Sequence, residues 1–138
     1  MESKKEIINI QPLLRMKELL SKSLTKLEEE KLDELSEMGA IQAFEVCFEL
    51  AWKTLQKFLI REGKEARSPR ETFRLAAQFG YLDNPQVWFK FGEERNLTTH
   101  TYREDILTEL LNLLAPFVKE LEKLINNLEE KNKELSSF

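Results

Sequence analysis

The sequence predicts an all-α protein, an up-and-down antiparallel bundle of four to five helices. Apolar residues recur at helical spacing along most of the 138 residues, and no strand-like alternation persists. Only four glycines and four prolines interrupt the pattern. Because no Gly-rich or Pro-rich linker divides the chain, we assign residues 1–138 to one domain.

The first two predicted helices lie in residues 3–60. Leucines recur at helical spacing among lysines and glutamates in residues 3–36, which indicates one or two amphipathic helices with Pro12 near a start or a kink. After Gly39, residues 40–60 are the most hydrophobic stretch and predict a central second helix. Gly63 follows and can cap it.

Two start signals predict a third and a fourth helix. Residues 68–71 combine a serine cap, a proline at the first helical position and a glutamate that can reach back to the cap, and this helix should stop at Gly80. Asp83, with a proline and a glutamine in the next three residues, repeats the pattern and opens a fourth helix, which should end near His100.

A long last helix is predicted by the leucine spacing from Arg103 to about Lys133. Pro116 should kink or split it, because proline lacks the backbone N–H and crowds the preceding turn. We expect the C-terminal tail, residues 131–138, to fray.

Composition excludes several kinds of protein. The formal net charge is −4, so no overall positive field attracts nucleic acid and any RNA contact must be local. Cys47 is the only cysteine, which excludes an intrachain disulfide; we expect a buried thiol in a cytoplasmic protein. The first residues do not resemble a signal peptide, and no apolar run reaches the ~20 residues of a membrane span.

A polar stripe runs along the predicted central helix, opposite its apolar arc. At about 100° per residue, Glu45, Glu49 and Lys53 fall on this stripe with two glutamines. The stripe is either a solvated face with an ion pair between Glu49 and Lys53, or the lining of a cleft or dimer interface.

A basic group follows the central helix. Glutamates interleave with its members, which predicts a solvated, salt-bridged surface rather than an RNA-binding patch. The group consists of Arg61, Lys64, Arg67, Arg70 and Arg74.

The segment Arg95 to Tyr102, RNLTTHTY, holds the only histidine of the chain. In an unbroken helix Arg95 and His100 would point about 140° apart, so they can converge only if the helix ends or bends between them. Arginine can bind a phosphate and histidine can move a proton near neutral pH, which suits cleavage of RNA through its own 2′-hydroxyl. That reaction needs a base and an acid, and a chain with one histidine supplies two only as a symmetric dimer.

A structural role for these residues is the alternative. His100 could cap a helix end, and Arg95 could pair with Glu93 or Glu94. We expect no metal and no cofactor, because one histidine and one distant cysteine cannot build a metal site and no dense carboxylate loop is present.

The spacing of Arg95, His100 and Tyr102 resembles the motif of the HEPN family: an arginine, four residues, a histidine, one residue and a tyrosine. Similarity to the subgroup of nucleotidyltransferase substrate-binding proteins covers roughly residues 10–125, including IQAFEVCFELAWKTLQKFL, SPRETFRLA and QVWFKFGEERN. The resemblance implies a bundle like the C-terminal domain of kanamycin nucleotidyltransferase, usually dimeric and made beside a separate minimal nucleotidyltransferase. The chain itself lacks the Gly-Ser and paired aspartates of that enzyme, so it should not transfer nucleotides alone.

Many pairs of this kind act as toxin and antitoxin. The resemblance thus implies a metal-independent ribonuclease with Arg95 and His100 catalytic, Asn96 in support, and Tyr102 adenylylated by the partner for silencing. It also allows a non-catalytic substrate-binding subunit, in which Arg95 and the polar stripe contact a substrate or the partner. A helical scaffold without an active site is a third hypothesis, under which Arg95 and His100 are dispensable.

Overall fold

The computed structural model describes residues 6–29 and 33–136, which form five α-helices and one 3-10 turn. The helices are α1 Gln11–Glu29, α2 Glu34–Arg61, α3 Pro69–Gln78, α4 Pro85–Arg95 and α5 Glu104–Ser136, and the 3-10 turn is Thr98–His100. The described residues contain no strand, and the predicted all-α bundle of four to five helices is confirmed. Helix α2 contacts each of the other four helices. None of the helices in the described ranges is long and apolar enough to cross a membrane.

Helix α2 begins at Glu34, so the prediction that it starts after Gly39 is wrong. The carboxylate of Asp33 accepts a hydrogen bond from the backbone N–H of Ser36 at 2.8 Å and caps the helix. Glu34 and Glu37 in the first turn complement the helix dipole. These contributions offset the lower helix propensity of Gly39, which costs about 1 kcal/mol relative to alanine.

Helices α2 and α3 both end before a glycine in the left-handed conformation. Gly63 has a φ of 80° and Gly80 a φ of 78°. The N–H of Gly63 donates to the carbonyl of Ile60 at 2.9 Å, and the N–H of Lys64 donates to the carbonyl of Leu59 at 2.8 Å. This pair of bonds is the Schellman arrangement. Both predicted helix ends are confirmed.

The start of α4 differs from the prediction, and α5 runs on through the proline at which a kink or a split was predicted. Asn84, not Asp83, caps α4, and its side chain accepts a hydrogen bond from the N–H of Gln86 at 3.0 Å. Helix α5 is not split at Pro116. The next residue, Phe117, is fully buried, and burial of such a side chain contributes about 1.5–3 kcal/mol, which offsets the missing hydrogen bond.

The two ends of the described chain contact each other. The N–H of Ile8 donates to Oδ1 of Asn132 at 3.2 Å, and Nδ2 of Asn132 donates to the carbonyl of Ile8 at 2.9 Å. Residues 131–136, part of the tail expected to fray, belong to helix α5, while 137 and 138 lie outside the described residues. Residues 3–5 and 30–32 of the predicted first segment also lie outside them. Helix α1 has Pro12 in its first turn, as predicted.

An aromatic cluster places the end of α4 against α2 and α5. The ring of Phe117 contacts Phe44, Trp88 and Phe91, with centroid distances of 4.8, 5.7 and 5.0 Å. Edge-to-face pairs of this kind each contribute about 0.5–1.5 kcal/mol beyond area burial. The cluster therefore holds the residues that follow α4 at one place on the bundle.

Candidate functional site

The segment Arg95 to Tyr102 begins where helix α4 ends. The hydroxyl of Thr98 donates to the carbonyl of Arg95 at 2.8 Å, and Thr98 is buried. Within the 3-10 turn, the N–H of His100 donates to the carbonyl of Leu97 at 2.9 Å. The α-helix thus ends between Arg95 and His100, which is the condition under which the two side chains could converge. The predicted helix end near His100 is wrong, because the threonine bonds back to the backbone and the α-helix stops at Arg95.

Arg95 is half-buried and pairs with Glu49 of helix α2. Its Nε lies 3.2 Å from Oε1 of Glu49, an ion pair without the alignment of a hydrogen bond. Oε2 of Glu49 accepts a hydrogen bond from the indole Nε1 of Trp52 at 3.1 Å. The arginine thus pairs across two helices rather than with its neighbours Glu93 or Glu94.

His100 and Tyr102 lie together on the surface. Nδ1 of His100 is 3.3 Å from the hydroxyl of Tyr102, a hydrogen bond whose donor depends on the histidine tautomer. The ring centroids are 5.8 Å apart in an edge-on arrangement. His100 is exposed, and Tyr102 is 78% exposed, so a second molecule can reach both.

The end of α4 and the 3-10 turn after it therefore carry an arginine and a histidine five residues apart. The Arg95 guanidinium is charged at every physiological pH and can bind a phosphate through parallel hydrogen bonds. In the described conformation the two side chains take different partners, Glu49 for Arg95 and Tyr102 for His100.

A pocket of about 300 Å³ lies beside Arg95, between helices α2, α3 and α4. Buried aromatic rings and several polar side chains line it together. The lining residues are Phe48, Glu49, Ser68, Pro69, Arg70, Phe73, Trp88, Phe89, Gly92, Glu93, Arg95 and Asn96. Among the predicted site residues, Glu49, Arg95 and Asn96 meet here, and His100 and Tyr102 do not line this pocket.

Of the three charged residues of the α2 polar stripe, only one lines this pocket. Glu49 lines the pocket and pairs with Arg95, whereas Glu45 and Lys53 are outside its lining. Glu45 is half-buried and Lys53 is exposed. Glu49 thus pairs with Arg95, and not with Lys53 as one interpretation of the stripe predicted.

Arg70 has a different environment from the salt-bridged surface predicted for the basic group. Its guanidinium carbon lies 4.2 Å from the ring centroid of Phe89, and both residues line the pocket. Arg67 does pair with Glu65, at 3.5 Å. Sequence reasoning missed Arg70 and Phe89 as site residues, because no local pattern indicates that α3 places Arg70 beside α4.

A buried carboxylate directly precedes Arg95. The side chain of Glu94 is only 3% exposed, and its Oε1 lies 3.1 Å from Nζ of Lys90. Its Oε2 is buried and lacks a donor. A hydrogen bond with Glu94 and the negative charge of Glu94 raise the pKa of Glu109 on α5.

The described part of the chain contains no group of three or more His, Cys, Asp or Glu residues that could hold a metal ion. Cys47 is fully buried, and burial raises the pKa of its thiol to about 12. The thiol is therefore protonated at neutral pH and packs as a small apolar side chain, as expected.

Comparison with known sequences identifies relatives of most of the chain. Residues 9–130 match the family described as nucleotidyltransferase substrate binding protein like. The probable ribonuclease HepT of Haemophilus influenzae is 27% identical over 99 residues, which cover 68% of this chain and 68% of that protein.

Two solved structures share the fold. A protein of Thermus thermophilus superposes with a TM-score of 0.68 at 32% identity, covering 79% of this chain and 98% of the other. A Haemophilus influenzae protein, described as having the fold of a substrate binding domain of a nucleotidyltransferase, superposes with a TM-score of 0.80 at 21% identity, covering 88% and 99%. The family match over residues 9–130 shows that the chain belongs to the nucleotidyltransferase substrate binding protein like family, the subgroup that its sequence motifs resemble.

Proposed function

We propose that this protein is a metal-independent ribonuclease of the HEPN type, acting in the cytoplasm as the toxin of a two-component system. The observation that carries the proposal is the end of α4 at Arg95, which leaves a half-buried arginine at the helix end and an exposed histidine on the 3-10 turn that follows. The similarity to a probable ribonuclease supports it. Asn96, which follows Arg95 and lines the same pocket, would support the site as a hydrogen-bonding neighbour.

The proposed reaction is a transesterification within RNA. The 2′-oxygen of one nucleotide bonds to the adjacent phosphorus, while the bond from that phosphorus to the next nucleotide's 5′-oxygen breaks. One His100 accepts the 2′-hydroxyl proton, and the His100 of a second copy protonates the leaving 5′-oxygen. Arg95 stabilises the negative charge that develops on the phosphate oxygens. The products are a 2′,3′-cyclic phosphate and a 5′-hydroxyl end.

A homodimer completes this site because each chain has a single histidine. The exposure of His100 and Tyr102 leaves both available to a second copy. Two Arg95 to Tyr102 segments in one cleft would provide a base, an acid and two arginines for one phosphodiester. The dimer face would include this segment and helix α2.

A minimal nucleotidyltransferase would be the antitoxin. The phenol oxygen of Tyr102 would bond to the α-phosphorus of ATP while the bond to pyrophosphate breaks, and the phenol proton would pass to solvent. Because the hydroxyl of Tyr102 is 3.3 Å from Nδ1 of His100, the attached AMP would put bulk and negative charge beside the proposed base. RNA would then be excluded by repulsion and by blocked access.

The family description favours a second candidate function, a non-catalytic subunit that binds substrate for the nucleotidyltransferase. Under this hypothesis Arg95, Glu49 and the pocket beside them would contact the substrate, and His100 would be structural. The two candidates differ in one observable: only the ribonuclease needs the imidazole of His100.

The deciding experiment expresses the chain alone and incubates the purified protein with RNA in the presence of EDTA. We expect growth arrest and fragments with 2′,3′-cyclic phosphate ends. Arg95→Ala and His100→Ala should each lower cleavage by about 100-fold or more, the usual contribution of a group that stabilises developing charge and of a positioned acid or base, respectively. Arg103→Ala is the matched control, because Arg103 is exposed in the same region and pairs with Asp105 at 2.9 Å.

Circular dichroism would establish that the variants fold alike. Intact RNA and normal growth with the wild-type chain would refute the ribonuclease and leave the substrate-binding subunit. Equal loss in all three variants would mean that general charge, and not a catalytic pair, explains the activity.

A further inference from the structure

The pocket beside Arg95 combines an aromatic floor with a polar rim. Phe48, Phe73 and Trp88 form the floor and are at most 2% exposed. The rings of Phe73 and Trp88 are stacked, with centroids 5.1 Å apart and planes inclined by 26°. These buried rings close the inner wall of the pocket, so the side chains that can contact a ligand over a large area are the more exposed ones at its rim.

A cation stacked on an aromatic ring lies on the α3 and α4 side of this pocket. Arg70 is exposed, Phe89 is half-buried, and the guanidinium carbon is 4.2 Å from the ring centroid. Guanidinium planes and aromatic rings are the groups on which unstacked bases of single-stranded RNA stack. The position of Arg70 is therefore suited to a base more than to a solvated surface charge.

The charges of the lining argue against a site for an isolated phosphate. Arg70 and Arg95 are balanced by Glu49 and Glu93, so the four charged side chains carry no net charge. Neutral planar groups with polar edges fit such a lining. The carboxylate of Glu93 and the amide of Asn96 supply acceptors and donors that can bind base edges.

The volume of the pocket and its position beside Arg95 indicate what kind of group it can hold. A volume of about 300 Å³ is at the low end of ligand pockets, enough for a single base and not for several. Arg95 forms one side of the pocket, and the same arginine binds the scissile phosphate in the proposed reaction. A base in the pocket would therefore belong to a nucleotide adjacent to that phosphate.

We propose that this pocket binds one unstacked base of single-stranded RNA beside the phosphate held by Arg95, with Arg70 and Phe89 as stacking residues, and so determines which sequences are cut. The proposal rests on the ribonuclease function for its meaning in catalysis. Binding itself can be measured without cleavage.

The test uses fluorescent RNA hexamers in which every 2′-hydroxyl is replaced by fluorine, so that no internal nucleophile remains. Binding of four hexamers, differing only in one central base, is measured by anisotropy with the full-length protein. We expect the wild type to prefer one base. Arg70→Ala and Phe89→Leu should each weaken the preferred complex by about fivefold or more and reduce the preference, as loss of one stacking contact does.

Two further variants separate stacking from charge. Arg74→Ala is the matched control, because Arg74 is an exposed arginine on the same helix and is outside the pocket lining. Arg70→Lys keeps the charge and removes the plane, so it should bind as weakly as Arg70→Ala. Equal weakening by Arg70→Ala and Arg74→Ala, full binding by Arg70→Lys, or no base preference in the wild type would overturn the proposal.

Two further measurements use free nucleotides as competitors and unmodified RNA as a cleavable substrate. If AMP, GMP, CMP or UMP displaced the hexamer at concentrations near the hexamer's own Kd, the pocket would be a site for free nucleotides, and the RNA assignment would be wrong. Base-selective, Arg70-dependent binding without cleavage of unmodified RNA would support the pocket and refute the ribonuclease. Cleavage whose sequence preference is the same in wild type and Arg70→Ala would support the ribonuclease and refute the pocket as the determinant of sequence preference.

Discussion

Nε of Arg95 lies 3.2 Å from Oε1 of Glu49, joining the C-terminal residue of α4 to the middle of α2. Both side chains are about one third exposed, at 32% and 34%, so water screens the pair and its contribution to stability is about 0–1 kcal/mol. Its importance is geometric. The carboxylate is itself held by the indole of Trp52, which limits where the guanidinium can lie.

Replacing Glu49 should therefore affect the reaction more than the fold. We expect Glu49→Ala to lower kcat for RNA cleavage by about tenfold or more, because a misplaced cation stabilises the reacting phosphate poorly. Steady-state kinetics measure this, and KM should change little. Glu45→Ala, one turn away on the same helix and outside the pocket, is the control. If KM alone changed, Glu49 would act in RNA binding and not in positioning Arg95.

Removing the hydroxyl of Tyr102 should separate activity from silencing. Tyr102→Phe retains the exposed ring, so we expect ribonuclease activity close to that of the wild type. Co-expression with the nucleotidyltransferase should then leave the variant toxic, because the acceptor oxygen is absent. Intact-mass measurement should find AMP on the wild type and none on the variant. A silenced Tyr102→Phe protein would show that the partner acts without modifying this residue.

The hydroxyl of Thr98 should stabilise the turn that ends α4. Thr98→Val keeps the shape of this buried side chain and removes the 2.8 Å hydrogen bond to the carbonyl of Arg95. We expect a loss of about 1 kcal/mol in the free energy of unfolding, the usual contribution of one hydrogen bond, together with lower cleavage. Urea denaturation of Thr99→Val, exposed at the next position, should show a smaller change. Equal effects of the two substitutions would contradict this role for Thr98.

The acid pair Glu94 and Glu109 should make stability depend on pH. The pKa of Glu109 is raised in the folded protein, so folding favours its protonated form, and this advantage is lost as pH rises through the raised pKa. Glu109→Gln should therefore raise the free energy of unfolding at pH 7. The difference should disappear below about pH 4, where Glu109 is protonated in both folded and unfolded states.

Thermal unfolding of wild type and Glu109→Gln across this range measures the effect. Glu129→Gln, an exposed acid on the same helix, should leave the pH profile unchanged. A Glu109→Gln protein that is no more stable than wild type at pH 7 would show that Lys90 already neutralises the pair.

Local signals in the chain predicted most of the helices. The serine cap at position 68, the glycines at 63 and 80, and the apolar arc of α2 act within a few residues, so their effect can be recognised without knowledge of the packing. Two helices run past a residue that disfavours a helix: the local cap at Asp33 extends α2 past Gly39, and the tertiary burial of Phe117 accompanies the continuation of α5 past Pro116. In each case a favourable contact outweighed the residue that disfavours a helix.

The sequence by itself determined the helical bundle and the family, since these depend on periodicity and on a motif. Only the tertiary structure decided that Glu49 pairs with Arg95, that Arg70 stacks on Phe89, and that both pairs border one pocket. These pairs join separate helices. Their formation depends on how α2, α3 and α4 pack around the buried aromatic rings, and no short-range pattern encodes that arrangement.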